Sequence, residues 1–200
     1  MGEYFSNINW LSYFFYNILI ALICAGFYFL MRNKSEKVKH YTIISLLIFG
    51  FFLHFTKLLI PSYQNNMPES LIEITLSTPC SISALSFPFI YMSKNQKLKD
   101  YMVVFGMISG VATLLFPLDI QGLSMFNIDV IRFYTAHLII LLVPLYIYIF
   151  KLHTLTNKWA KHTIIVFLIV LLIIVINNEL FNILVLKQIG QIEQLGQYFK

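Results

Sequence analysis

Long apolar runs separated by short polar connections are the main pattern along the chain. About six such runs are visible, at roughly 11–31, 41–60, 71–93, 101–117, 131–150 and 163–184. Each is close to the ~20 residues that a helix needs to cross ~30 Å of hydrocarbon. The pattern therefore predicts an all-α, polytopic integral membrane helix bundle of about six transmembrane helices, with residues 1–200 as a single transmembrane domain.

Composition supports this class of protein. Hydrophobic residues make up 58% of the chain and charged residues 12%, whereas soluble domains carry about 25% charged residues. The two cysteines lie in different apolar runs, which argues against a disulfide framework. The abundance of Lys, Asn, Ile, Phe and Tyr is typical of an AT-rich bacterial genome, so we expect a multi-pass protein of a bacterial cell membrane.

The positive charges predict the orientation. Ten of the 14 Lys and Arg residues fall in the connections 32–39, 94–99 and 151–161, while 61–70 and 118–130 contain none. The positive-inside rule places the three basic connections in the cytoplasm and both termini outside. The basic runs are too short for a nucleic-acid patch, and the net charge of +5 suits contact with anionic lipid head groups. Membrane lipids, and no nucleic acid, are therefore the expected partners.

Polar residues inside the runs concentrate in the outer half of the membrane, and the inner half shows no comparable set. An ionisable group within a span costs about 2.5–3.5 kcal/mol, so such groups usually face a bundle interior or a wet cavity. The set comprises His54, Lys57, Glu73, Arg132, His137, Asn177, Asn178, Glu179 and Asn182. Its concentration predicts a site that opens toward the outer leaflet.

Helical spacing groups some of these residues. Glu73, Ser77 and Cys80 are spaced i, i+4, i+7 and would share one face of the third helix. Pro79 lacks a backbone donor, which favours a kink beside Cys80 and a small polar pocket with neighbouring Ser and Thr residues. Arg132 is expected to point elsewhere and to snorkel toward the outer head groups.

Cys80 is the candidate nucleophile. A free cysteine is usually a small buried hydrophobic residue, and Cys24, with no ionisable neighbour in its helix, fits that description. Cys80 differs because His137 lies at a similar depth in the fifth run. An imidazole within hydrogen-bond reach of a thiol can take its proton and activate it.

The other candidates have plain structural interpretations as well. His54 would hydrogen-bond a backbone carbonyl, Glu73 with Lys57 or Glu179 with Arg132 would form ion pairs, and Asn178 would join helices at about 0.6 kcal/mol per contact. A metal site from His54, His137, Glu73 and Cys80 lacks any close ligand spacing such as His-x-x-x-His. We therefore predict neither a metal nor another cofactor, and assign Ser77, Glu73, His54, Asn178 and Glu179 supporting or substrate-binding roles.

Three segments carry a family resemblance. "TPCSISALSFPFIY", "ISGVATLLFPLDIQGL" and "FYTAHLIILLVPLYIYIF" resemble the YwaF-like bacterial integral membrane proteins and their vertebrate relative, a multi-span acyltransferase of plasmalogen synthesis. The likeness covers about 70–150. It implies a membrane-embedded acyltransferase in which Cys80 carries the acyl group as a thioester and His137 serves as base. These are the same two residues that depth and helix faces select.

Three functions remain open on the sequence. The first is a lipid acyltransferase or ester-cleaving enzyme that uses Cys80 and His137, with the connection 118–130 as a lid. The second is a small-solute transporter or substrate-capture subunit that surrounds its solute with Glu73, Glu179, Lys57 and His54. The third is a structural or regulatory membrane subunit, whose polar groups hold the bundle together. The oligomeric state is open in all three.

Overall fold

The computed structural model describes residues 9–60, 75–117, 120 and 122–198, and in this part of the chain it is a bundle of six α-helices. A 3-10 turn, Thr56–Leu59, extends the second helix. The helices are α1 Trp10–Met31, α2 Glu36–Phe55, α3 Pro79–Met92, α4 Gln96–Leu115, α5 Ile128–Ile149 and α6 Trp159–Tyr198. Five of them are long and apolar enough to cross a membrane. The predicted all-α, polytopic architecture is confirmed.

Short polar side chains at the ends of the apolar runs start most of these helices. Asn9, Ser35, Asn95 and Asn127 each precede a helix and accept a hydrogen bond from a backbone N–H of its first turn. Such caps satisfy amides that have no partner inside the helix. The polar connections of the sequence therefore also define where the helices begin.

The third helix differs from its prediction. Residues 75–78 form a turn, Thr78 caps the helix by accepting from the Ser81 amide, and Pro79 is the first helical residue. The predicted kink at Pro79 is wrong, because proline at this position removes an N–H that the helix does not use. The 14 residues of α3 rise only about 21 Å, which is short of the ~30 Å hydrocarbon core. Cys80 consequently lies in the first helical turn.

α4 and α5 form the centre of the bundle and approach each other closely at two glycines. A Cβ atom built on Gly110 would lie 2.8 Å from Leu141 Cβ and 2.9 Å from Leu141 Cα. A Cβ on Gly106 would overlap the ring of Pro144. Small residues at such crossings let two backbones approach. α1 and α6, by contrast, present mostly exposed apolar side chains, as expected for surfaces that face lipid.

The three basic connections meet at one end of the bundle, which we call the basic end. Lys39 Nζ donates to the backbone oxygen of Arg32 at 3.2 Å and lies 4.7 Å from the ring centroid of Phe150. His40, at the start of α2, hydrogen-bonds the hydroxyl of Tyr91, near the end of α3. This clustering agrees with a shared cytoplasmic side, and the outside position of both termini stays a prediction.

A buried polar network lies at the basic end, where the sequence predicted no comparable set. We call it the Asp100 cluster. Asp100 is completely buried; its carboxylate accepts from His153 Nε2 at 2.8 Å, from His162 Nδ1 at 2.8 Å, and from the amide and hydroxyl of Thr156. The cluster joins the start of α4 to the α5–α6 connection and to the start of α6.

Candidate functional site

A cavity of about 600 Å³ lies at the end of the bundle opposite the basic end. It is enclosed by the ends of α2 and α4 and the starts of α3 and α5. Its polar lining consists of His54, Lys57, Thr78, Cys80, Ser81, Ser83, Thr113, Arg132 and His137. The volume falls within the ~300–1,000 Å³ of typical ligand pockets. Cys80 and His137 both line it.

Cys80 enters the cavity from the first turn of α3 and is half-buried. Its Sγ lies 3.7 Å from Thr113 Oγ1, across the gap between α3 and α4. The Thr78 cap and Pro79 hold the backbone of this turn. Backbone amides at a helix N-terminus point toward the cap and favour negative charge nearby, so this position suits a cysteine that must become a thiolate.

His137 is buried on α5, and one of its ring nitrogens has a fixed partner. Nδ1 lies 2.8 Å from the backbone oxygen of Phe133, one turn earlier. A carbonyl oxygen only accepts, so Nδ1 carries the hydrogen. In the neutral imidazole this leaves the lone pair on Nε2, which is the arrangement that a general base requires.

Two cationic side chains share the cavity wall with His137. Lys57 comes from the turn that ends α2, and Arg132 from the start of α5. The predicted snorkelling of Arg132 to the head groups is wrong: its side chain is 10% exposed, lines the cavity and lies 4.0 Å from Asp129 through Nε. No Asp or Glu is found among the described residues that line the cavity. The described wall therefore carries positive charge, which Asp129 beside Arg132 offsets in part.

Apolar side chains form the rest of the lining. They are Leu47, Gly50, Ala84, Phe87, Ala112, Phe116, Phe133, Ala136, Ile139 and Ile140. Phe87, Ile139 and Ile140 also belong to the core that joins α3 and α5. The described lining thus combines an extended apolar surface with cations, hydroxyls and a thiol.

The residues predicted to support the site or to bind substrate do not all line the cavity. His54 is buried and lines the cavity. Ser77 is buried in the turn before α3, and its Oγ has no hydrogen-bond partner within the described part of the chain. Asn178 is half-buried and Glu179 exposed on α6, and neither appears in the cavity lining. Glu73 lies outside the described residues.

One asparagine joins α6 to another part of the bundle, as the sequence predicted for the asparagines of this run. Asn177 Nδ2 donates to Thr75 Oγ1 at 3.0 Å, which joins α6 to the turn before α3. Thr113, by contrast, was not singled out from the sequence. Its only signal is its place near the outer end of the fourth apolar run, at a depth similar to that of Cys80.

The described residues contain no group of three or more His, Cys, Asp or Glu side chains arranged to hold a metal ion. The side chains of the described lining supply a thiol, two imidazoles, hydroxyls and two cations. This set is suited to nucleophilic acyl transfer.

Comparison with known proteins adds one finding. Neither the curated proteins nor the solved structures contain a significant match to the chain. A protein-family model, that of the TMEM164 family, matches residues 4–188. The match covers α1 to α5 and most of α6, including all four helices that enclose the cavity, and on this evidence the chain belongs to the TMEM164 family of multi-pass transmembrane proteins.

Proposed function

We propose that the protein is a membrane-embedded lipid acyltransferase whose active site is the cavity that contains Cys80 and His137. The observation that carries the proposal is their common position: a thiol in the first turn of α3 and an imidazole fixed through Nδ1 line one cavity. The apolar part of the lining suits a fatty acyl chain, and the cations suit a phosphate group or another anionic part of a lipid.

The first half of the reaction transfers the acyl group to the protein. His137 Nε2 takes the proton of Cys80, and the sulfur attacks the carbonyl carbon of the lipid ester. The carbon–oxygen bond breaks, the acyl group stays on Cys80 as a thioester, and the leaving alkoxide takes the proton from His137. One difficult acyl transfer is thereby divided into two easier steps.

The second half releases the acyl group to an acceptor. A lipid hydroxyl gives its proton to His137 and attacks the thioester carbonyl, the carbon–sulfur bond breaks, and the thiolate of Cys80 is protonated again by His137. Water in place of the lipid hydroxyl would make the same site a hydrolase. The apolar part of the cavity lining opposes water and favours transfer.

Negative charge develops on the ester oxygen in both steps and requires donors. The hydroxyl of Ser81, the backbone amide of Cys80 in the first turn of α3 and the cations Lys57 and Arg132 all belong to the cavity region. Preorganised donors of this kind commonly lower the barrier by about 3–4 kcal/mol each.

The family relationships support the same chemistry. Membership in the TMEM164 family is compatible with an acyltransferase, and the resemblance to YwaF-like proteins and the plasmalogen acyltransferase maps its cysteine to Cys80 and its histidine to His137. We infer from the resemblance and the sequence composition that the protein acts in a bacterial cell membrane, with the cavity open toward the outer leaflet.

The solute-capture alternative has less support. His54 and Lys57 line the cavity as that hypothesis requires, but Glu179 is exposed on α6 and absent from the lining. A solute site built on Lys57 and His54 would also leave the thiol without a role.

Intact-protein mass spectrometry tests the proposal. Wild type, Cys80→Ser, His137→Ala and the matched control Cys24→Ser are purified from membranes and measured before and after treatment with hydroxylamine, which cleaves thioesters. We expect an acyl mass on wild type and Cys24→Ser that hydroxylamine removes, none on Cys80→Ser and an altered amount on His137→Ala. An unmodified wild-type thiol that also resists acyl-thiol probes would contradict the proposal.

A further inference from the structure

Thr113 holds an unusual position between a thiol and a backbone carbonyl. It lies near the end of α4 on the cavity wall, with Oγ1 3.7 Å from Cys80 Sγ. The same oxygen lies 2.9 Å from the backbone oxygen of Ser109, one turn earlier in its own helix. One hydroxyl group therefore serves two partners.

The count of hydrogens decides the direction of each bond. A threonine hydroxyl has one proton and two lone pairs, and a carbonyl oxygen can only accept. The Thr113 proton therefore points to Ser109, and Oγ1 presents a lone pair to Cys80. The thiol is then the donor of the bond between Sγ and Oγ1, which fixes the direction of its hydrogen.

When the thiol loses its proton, the sulfur needs a hydrogen-bond donor instead of an acceptor. A thiolate can only accept, so the lone pair of Thr113 would repel it if nothing moved. Rotation about the Cβ–Oγ1 bond turns the Thr113 proton from Ser109 to sulfur and moves no heavy atom. The Ser109 carbonyl remains within the helix, where the backbone N–H four residues later is its regular partner.

We propose that Thr113 is a positioning residue for Cys80: its hydroxyl accepts a hydrogen bond from the thiol at rest and donates one to the thiolate when His137 has taken the proton. The proposal rests on the proposed function, since only a reacting cysteine needs such a switch. The proton that leaves Cys80 goes to His137 Nε2, and the Thr113 proton stays on its own oxygen throughout.

The test measures thiol reactivity and does not depend on acyl transfer. The rate at which N-ethylmaleimide alkylates Cys80 is followed by intact mass over a range of pH, in a Cys24→Ser background. Thr113→Val removes the hydroxyl at nearly constant shape, and Thr113→Ser keeps it. The matched control is Thr135→Val on α5, which removes a similar hydroxyl bond to the Ile131 carbonyl (2.7 Å) away from the cavity lining.

We expect Thr113→Val to slow alkylation about tenfold at neutral pH, the effect of one hydrogen bond to a charged group. The midpoint of its pH–rate profile should lie about one pH unit higher. Thr113→Ser and Thr135→Val should react like their background.

Two results would overturn the role of Thr113: alkylation of Thr113→Val at the background rate at every pH, or equal losses in the Val and Ser variants, which would mean that only packing matters. Failure of the proposed function is a separate result, namely a wild type without a hydroxylamine-sensitive acyl mass. In that case the alkylation rates still decide whether Thr113 stabilises the thiolate.

Discussion

Two polar sites lie at opposite ends of the same bundle and differ in how their hydrogen bonds are satisfied. In the Asp100 cluster a completely buried carboxylate accepts four hydrogen bonds from His153, Thr156 and His162. In the cavity, His137 uses one nitrogen to fix its ring and Cys80 faces about 600 Å³ of space. A closed polar network stabilises a fold, whereas polar groups arranged around a space can act on a ligand.

We expect the largest effect at the cavity, where a substitution should reduce activity and leave stability almost unchanged. His137→Ala removes the base, and we expect acyl transfer to fall by about 10²–10⁴-fold with little change in the melting temperature. Activity is measured on phospholipid and lipid-alcohol mixtures in proteoliposomes, and stability by thermal unfolding in detergent. His40→Ala at the basic end is the matched control, because it removes a histidine that does not line the cavity. If the variant loses stability together with activity, His137 has a structural role like that of the Asp100 cluster.

At the basic end we expect the opposite result, a loss of stability without a loss of activity. Asp100→Ala leaves the buried His153, the partly buried His162 and the Thr156 amide without their acceptor. We expect the free energy of unfolding to fall by about 3–5 kcal/mol, the usual result of removing one partner from a buried polar pair. Denaturant titration measures the loss, and activity per folded molecule should be unchanged. A loss of activity without a loss of stability would break the contrast between the two sites.

The close crossing of α4 and α5 supports both sites. A substitution there should have an effect of intermediate size on the free energy of unfolding. Gly110→Ala would bring a methyl group within 2.9 Å of Leu141 Cα, where backbone cannot yield as a flexible side chain can. We expect a loss of about 1–3 kcal/mol in the free energy of unfolding. Gly26→Ala in α1 is the control, since nothing lies within 4 Å of the added Cβ, and there a gain of ~0.5–1 kcal/mol is expected. Equal effects of the two substitutions would show that the close crossing is unimportant.

The smallest effect concerns the cationic wall. Arg132→Gln keeps much of the side chain's length and removes its charge, and we expect about a tenfold fall in transfer from an anionic phospholipid, corresponding to one charge-assisted hydrogen bond. Transfer from a neutral acylglycerol should change little. Lys39→Gln at the basic end is the matched control. If Arg132 binds the phospholipid, the loss should appear as a higher KM for that donor. An equal loss of activity on both donors would instead assign Arg132 to the reaction step.

The sequence predicted the bundle well because long apolar runs determine membrane helices directly. It failed at α3, where hydropathy continues upstream of the helix start. The pair Thr78-Pro79 is itself a start signal, a capping residue followed by proline at the first helical position, and weighing it above hydropathy would have placed Cys80 correctly.

Long-range pairing was harder to predict. Cys80 and His137 were connected because both are unusual at the same depth within apolar runs. Asp100, His153 and His162 lie in or beside basic connections, where polar residues are ordinary, so no local signal marked them as partners. Arg132 was misplaced for a related reason: spacing along a helix does not tell which neighbouring helix covers each face.

The short length of α3 has an electrostatic consequence. Its C-terminal end lies at the basic end, so in a ~30 Å hydrocarbon layer that begins there a rise of about 21 Å would place its N-terminus roughly 9 Å short of the far side. A full span would expose its positive terminus to water, where a dielectric constant of about 80 nearly cancels its field. Within the low-dielectric layer the same half-charge acts on Cys80 with far less screening. Shortening the helix thus supplies a positive potential to the thiol without the insertion cost of another buried cation.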